Sequence, residues 1–575
     1  MSSLQAGAAR EEIVVPGRGY GMLGYGQIKH RVLGQSTKLY SRAFCFDDGG
    51  DGGSALFFAQ AEICMVFPEL KRALVERVQQ VIGARHLSSE RLMLCSQHTH
   101  CGPGGYSHYP FYNFSVPGFR SEVFDAIVAS LAAALIAAWN ARRPARLQFA
   151  VDRFADQVDV AFNRSLAAYN RNPGVHKLGD HQTHLAIDRR MWLLKVCQDG
   201  DGALIGQINW FGVHPTSISS RVSLLSYDNK GYAADYLEQQ MGAGTVAIFA
   251  QHFAGDVSPN AQGNTRPEWP RGKYQDEIAS AEYNGQLQCA QAWKMLQAMG
   301  PSDALQGSVL DAALVNKDFS DIHVDPDFAD GRSGEHTTPP CHGLAFYEGS
   351  PVDGPGIHQP ITGLVRLLAK LSQRRALRNA KHESAQALAQ TQDRYRAQSP
   401  KIIVTDSAEG VLLGMCDRQK LPGAMDPMLA EMQRQDRAGA LAETPWVPVV
   451  LPLQFMRIGE LAIIGFPGEI TTVAGQELQA LSLDVLAPAG VRKVVIASYA
   501  NSYFGYCTTW HEYQEQQYEG GHTTFGSRTH DAFRTEFRRL LRECLKPAHA
   551  RTLTSAPEKI FSAATLALRS APRTP

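Results

Sequence analysis

Two histidines one residue apart, in His98-Thr99-His100-Cys101-Gly102-Pro103-Gly104-Gly105-Tyr106, are the residues of this chain best placed to do chemistry. On an extended backbone that spacing puts both imidazoles on one face, so one can hold a divalent metal while the other stands beside it. Such pairs also occur as ordinary surface or core histidines, so the remaining ligands have to come from elsewhere. His214, in Gly212-Val213-His214-Pro215-Thr216, is restrained by the proline after it and reads equally as a third nitrogen ligand or as a turn residue. Glu469, in Pro467-Gly468-Glu469, either favours the start of the helix that follows or completes a set of two histidines and one glutamate. Arg164, in Asn163-Arg164-Ser165, is a surface residue of a polar loop or a forked donor for a substrate oxygen. Ser258 sits in Gly255-Asp256-Val257-Ser258-Pro259-Asn260, which is not a Gly-x-Ser-x-Gly elbow and so counts against an α/β-hydrolase. Tyr503, Tyr506, Tyr513 and Tyr518 crowd one stretch, as hydrogen-bonding groups in a partly dry cleft would.

The elements that must carry these groups alternate between strand and helix. Apolar runs at Leu92–Cys95, Leu204–Phe211, Thr245–Ala250 and Val494–Ala497 read as buried strands, and each ends in a motif just named. Pro68–Gly83 and Phe119–Arg142 read as helices, Ala145–Val160 as strand, and Ser226–Glu238 as a helix capped by Asp228 and Asn229. Arg42–Phe46 reads as an apolar edge, and Ser54–Phe67 runs strand-like into a buried stretch. Val449–Ile458 and Leu461–Phe466 make a hairpin through Gly459-Glu460, with a helix over Val473–Ala480. The result is an α/β fold, a mixed β-sheet core with flanking helices and the metal site on loops at strand ends.

Residues 316–400 are different. Asp318–Pro340 is an acidic loop, Gly349–Gly356 is turn-rich, and Ile361–Gln398 is helical and strongly charged. The helical part is either a solvated hairpin or a lid. From about 546 the chain turns Ala-, Ser-, Thr- and Pro-rich, and a frayed tail over 546–575 is expected.

Composition narrows the class of function. With 44% hydrophobic residues and 51 glycines among 575, the chain is a globular protein. Its 56 basic residues balance 56 acidic ones, so no global field draws it to nucleic acid or to an anionic membrane. The ten cysteines form no CxxC pair, and the absence of a basic-then-apolar leader leads us to expect a reducing, cytoplasmic location. The most apolar helix, Ala126–Trp139, is too short to span a bilayer.

Taken together and in order, these motifs, with Asn209–Thr216, Asp228-Asn229-Lys230-Gly231-Tyr232, Asp353-Gly354-Pro355-Gly356 and Gln517-Tyr518-Glu519, resemble the neutral ceramidase family from about Gly24 to about residue 540. The resemblance implies a zinc-dependent amidohydrolase that cleaves the N-acyl bond of ceramide or a ceramide-like long-chain compound by metal-activated water. It implies one zinc on His98, His214, Glu469 and Tyr506, with Tyr503 only three residues from the last. His100 would be the nearby acid or base, Arg164 and Tyr518 would hold the carbonyl oxygen, and Ser258 matches the serine the family needs, as nucleophile or hydrogen-bonding partner. An additional structural Ca2+ or Mg2+ is compatible with it. The chemistry agrees: zinc lowers the pKa of water to about 7, and amide cleavage needs donors for an oxyanion and a proton for the amine.

The chain departs from the family's pattern in three places. Cys101 stands where a small serine is common, residues 316–400 are larger and more charged, and the expected organisation is a catalytic body at 1–545 without the β-sandwich domain that commonly follows it in the family. These departures leave room for a different lipid-like N-acyl substrate. They also leave room for an acyltransferase or esterase acting on a biosynthetic intermediate. The oligomeric state is not legible.

Overall fold

A computed structural model describes residues 4–571 except 16, 50–54, 262–270, 351, 358, 422 and 424–425. Pro351, in the turn-rich loop expected at Gly349–Gly356, lies outside them. Eight strands form one mixed sheet, in the order Val246–Ala250, Leu204–Trp210, Arg190–Gln198, Arg143–Arg153, Gln5–Glu12, Tyr40–Asp47, Leu56–Ala61, Leu92–Ser96. The outermost pair at each end is parallel and the rest antiparallel. A second sheet of four strands, Leu310–Asp318, Val450–Ile458, Leu461–Gly465 and Lys493–Ala497, again ends in a parallel pair.

Side-chain alternation shows how the sheets stack. In Tyr40–Asp47, Phe44 and Phe46 face a cluster that also holds Met456, Ile463 and Val495 of the second sheet, whereas Ala43 and Cys45 face helices Pro68–Ile82 and Ser121–Asn140. Ile464, Val494 and Ile496 point the other way, onto helices Thr472–Leu486 and Thr529–Glu543. Helices Asp228–Met241 and Glu277–Ala298 cover the rest of the first sheet's outer face. The architecture is therefore helix, sheet, sheet, helix, with both faces of each sheet buried, which is why its strands read as continuous apolar runs.

Several expectations are corrected. Arg42–Phe46 is not at an edge: its strand lies between Gln5–Glu12 and Leu56–Ala61, and buried Arg42 is ion-paired to Glu62 and Glu238. The strand after residue 143 stops at Arg153. The apolar helix runs 20 residues, Ser121–Asn140, long and apolar enough to cross a membrane. It lies instead on the sheet, so close that a Cβ at Gly7 would meet Ala138 O at 2.1 Å. Neither Asp228 nor Asn229 caps its helix; Tyr227 occupies the N-cap, and the Asp228 carboxylate accepts from the Ile218 and Asn229 amides. The helix after Glu469 extends to Leu486.

The C-terminal stretch is not frayed through residue 571. Phe561 packs edge-on against Tyr109, Ala563–Arg569 is helical, and buried Arg569 donates to the carbonyls of His108, Ala440 and Glu443. Composition missed this because the anchors, Arg551, Leu553, Phe561, Leu566 and Arg569, are scattered through a run of small and polar residues. Within 316–400 the two long helices are Gln359–Glu383 and Ala385–Gln398, packed as a hairpin.

Candidate metal centre

Five loops leave the C-terminal ends of strands in the two sheets and converge. Leu92–Ser96 delivers His98 and His100, Leu204–Trp210 delivers His214, Val246–Ala250 leads to Ser258, Leu461–Gly465 leads to Glu469, and Lys493–Ala497 leads to the tyrosines. The sheets are tied together here. Segment 499–501 pairs with the edge strand Leu92–Ser96 through Ser96 N to Tyr499 O (3.2 Å) and Asn501 N to Leu94 O (2.8 Å). His98, Tyr499 and Asn501 all have positive φ (80°, 57° and 64°), a conformation that costs non-glycine residues on the order of 1–3 kcal/mol and collects at functional sites.

At the centre, His98 Nε2 lies 3.3 Å from Glu469 Oε1 and His214 Nε2 lies 2.8 Å from Glu469 Oε2, all three side chains being buried. The other ring nitrogens fix the tautomers. His98 Nδ1 is 2.7 Å from Cys64 O and His214 Nδ1 is 3.1 Å from Val257 O. A carbonyl only accepts, so each Nδ1 carries a proton, and each ring when neutral turns its Nε2 lone pair toward the carboxylate. Three electron-pair donors thus face one point, with ligand atoms within 4.8 Å of one another. With both imidazoles neutral, the two rings and the carboxylate have no hydrogen to share; a second proton on His98 or a divalent cation relieves the repulsion, and a divalent cation is what this donor set fits.

The electrostatics express the same crowding. Burial works against a charged Glu469, but His98 and His214 hold it well below the usual carboxylate range. His98 is opposed by burial too, yet Glu469 lifts it to about 10. His214 and His100 are lowered, first by burial and then by neighbouring positive charge.

Around the trio, Tyr503 and Tyr499 donate to Glu469 Oε1 (2.5 Å) and Oε2 (3.1 Å). Tyr506 Oη sits 3.2 Å from His214 Nε2 and accepts from Arg164 Nη2 at 3.0 Å. His100 Nε2 is 3.1 Å from His98 Nε2. The close fit depends on Gly24, where a Cβ would meet His100 Cγ at 2.6 Å. Arg164 is buried and already committed: it donates to Glu519 Oε1 (2.8 Å), Asp353 Oδ2 (2.7 Å) and Gly255 O (2.8 Å) as well as to Tyr506. Ser258 donates to Asp353 Oδ1 at 2.6 Å and accepts from the Asn260 amide. Half-buried Tyr518 faces Tyr506 (5.3 Å between rings) and Arg164 (5.7 Å), and its hydroxyl has no protein partner among the described residues.

All eight residues singled out in the sequence are thus brought into one neighbourhood. Asp353, which gathers Arg164, Ser258, Thr216 and Asn260, was legible only as part of Asp-Gly-Pro-Gly. Tyr499 carried no signal beyond lying past a strand. His522 was also missed; it is buried beside Tyr506 with neither ring nitrogen hydrogen-bonded.

Fold and site together define a mixed α/β protein with a buried donor set, two histidines and one glutamate, of the kind that holds a divalent metal. Comparison with known proteins gives the particular family. The family model described as neutral/alkaline non-lysosomal ceramidase, N-terminal, matches residues 4–413 and 431–535. Neutral ceramidase of Pseudomonas aeruginosa is 31% identical over 539 residues, spanning 92% of this chain and 70% of that one. Neutral ceramidase of Mycobacterium tuberculosis is 31% identical over 521 residues, spanning 88% and 71%. Among solved structures, a ceramidase complexed with C2 superposes with a TM-score of 0.78 at 28% identity, over 98% of this chain and 78% of that one. The chain belongs to the neutral/alkaline non-lysosomal ceramidase family.

Proposed function

We propose that this protein hydrolyses the amide bond of ceramide, or of a ceramide-like long-chain N-acyl compound, at a zinc centre held by His98, His214 and Glu469, with Tyr506 as fourth ligand. The observation that carries the reading is the inward aim of both Nε2 atoms at the Glu469 carboxylate, enforced by carbonyls on the opposite ring nitrogens. When bound, zinc supplies a Lewis acid that polarises a carbonyl and lowers the pKa of water toward neutrality.

The chain's own residues supply the rest. Tyr499 and Tyr503 hold the Glu469 carboxylate in place. Arg164, clamped by Glu519 and Asp353, keeps positive charge beside Tyr506 and has one N–H of its five left for a substrate oxygen. Tyr518, with an uncommitted hydroxyl, is the second donor for the oxyanion that develops when the amide carbon becomes tetrahedral. His100, held neutral by burial, is placed to take a proton from the attacking water and pass it to the departing amine nitrogen.

Ser258 is better suited to positioning than to attack. Its proton is committed to Asp353, and among the described residues no histidine is within hydrogen-bonding reach of its oxygen. The acyltransferase or esterase alternative finds no support in these contacts.

The test is incubation of the purified protein with a panel of N-acyl amides, ceramide included, with products identified by mass, before and after chelation and zinc restoration. Release of free fatty acid and amine that follows zinc content is the expected result. An acyl-Ser258 adduct, or turnover indifferent to chelation, overturns the mechanism.

A further inference from the structure

Helix Gln359–Glu383 presents two surfaces that no other part of the described chain covers. In its first half Leu364, Leu367 and Leu371, spaced i, i+3, i+7, are 46%, 55% and 47% exposed. That spacing is a single stripe. The opposite side is occupied, with Ala369 and Ala380 buried and Val365 packed into the cluster of Phe114, Leu344 and Val404. In the second half arginine replaces leucine on the exposed side, at Arg374, Arg375 and Arg378, flanked by Lys370 and Lys381. Among the described residues none of these five cations has an ion-pair partner, whereas Arg366 is paired to Glu348.

The helix also has a defined relation to the site. It begins six residues beyond Asp353, the carboxylate that holds Ser258 and Arg164. The short helix Leu344–Tyr347 that packs beneath it stacks Phe346 on Tyr518 at 5.6 Å. The helix that carries the leucine stripe is thus packed on a segment that touches Tyr518 and follows closely on the carboxylate that holds Ser258 and Arg164.

We infer that this helix docks the protein on an anionic lipid surface, the leucines entering the boundary between headgroups and acyl chains and the five cations engaging headgroup phosphates. A stripe of exposed leucines continuous with unpaired Lys and Arg is the pattern of an interfacial helix. Charge selects this occupant over a second copy of the chain, because two copies meeting at this face would oppose their arginines. The inference rests on the reading that the substrate is lipid-like, since a freely soluble amide needs no such surface.

The test is co-sedimentation of the full-length protein with substrate-free vesicles of phosphatidylcholine, alone or mixed with phosphatidylglycerol. Binding to the mixed vesicles, weakened by salt, is expected. The triple variants Leu364→Ser/Leu367→Ser/Leu371→Ser and Arg374→Glu/Arg375→Glu/Arg378→Glu should each weaken it by about tenfold or more, with zinc content and turnover of a short, soluble N-acyl amide unchanged. Equal binding by wild type and both variants, or no preference for the anionic vesicles, overturns it. So does a leucine variant that converts a dimer to a monomer, which would assign the face to self-association. Because the vesicles hold no substrate, a failed amidase assay with intact vesicle binding counts against the hydrolase reading and not against docking.

Discussion

Around Glu469 and along helix Gln359–Glu383 the same chain solves opposite problems. At the first, acceptors that repel one another are held together by second partners: carbonyls on two imidazoles, tyrosines on a carboxylate, and a backbone forced to positive φ at His98 and Tyr499. At the second, five cations have no ion-pair partner among the described residues and three leucines stand about half exposed in an otherwise regular helix. A site that performs chemistry must be over-determined, because an error of about 1 Å is costly. A surface that meets a fluid partner needs only composition and period. The contrast makes separate readouts possible, and each measurement below tests one side of it.

The largest effect is expected at the donor set. His98→Ala, His214→Ala and Glu469→Ala should each abolish turnover and stoichiometric zinc, measured by elemental analysis of the purified protein; zinc retained in all three would dissolve the proposed ligand set. His100→Ala and Tyr518→Phe should keep zinc while kcat falls on the order of 10²-fold, and full activity in either removes that residue from the mechanism. Tyr503→Phe deletes the hydrogen bond to Glu469 Oε1 and should weaken zinc roughly 10- to 100-fold in a competition titration. An unchanged zinc affinity would show that the carboxylate is held well enough without it.

The smallest expected effect lies behind the site, in the pH dependence of stability. Burial, and then the charge of Asp256, pushes Glu512 up to about 7. A folded acid that keeps its proton where the unfolded chain has lost it makes stability fall as pH rises from the ordinary glutamate range to about 7, and then level off. Glu512→Gln should flatten the decline in Tm between about pH 5 and 7; an unaltered slope would place the titration elsewhere.

Much of the centre was readable in the sequence because its residues follow buried strands, where strand-end loops leave short, conspicuous motifs. His98, His214 and Glu469 all stand at such ends. Tyr499 escaped because its role depends on pairing with a strand some 400 residues away in the chain, a relation no local pattern encodes. The same holds for Arg42, read as part of an edge, whose partners Glu62 and Glu238 identify it as interior. The ordered C-terminal stretch shows the reverse error: its composition is that of a loose tail, but Phe561 and Arg569 each find a prepared place.

The pairing of residues 499–501 with Leu92–Ser96 has a further consequence. That strand is the last in the eight-stranded sheet, so the loop that positions Tyr499 also masks its open hydrogen-bonding side. Damage that frees the loop uncovers a ready template for strand addition by other molecules, so loss of catalytic competence and loss of solubility should arrive together.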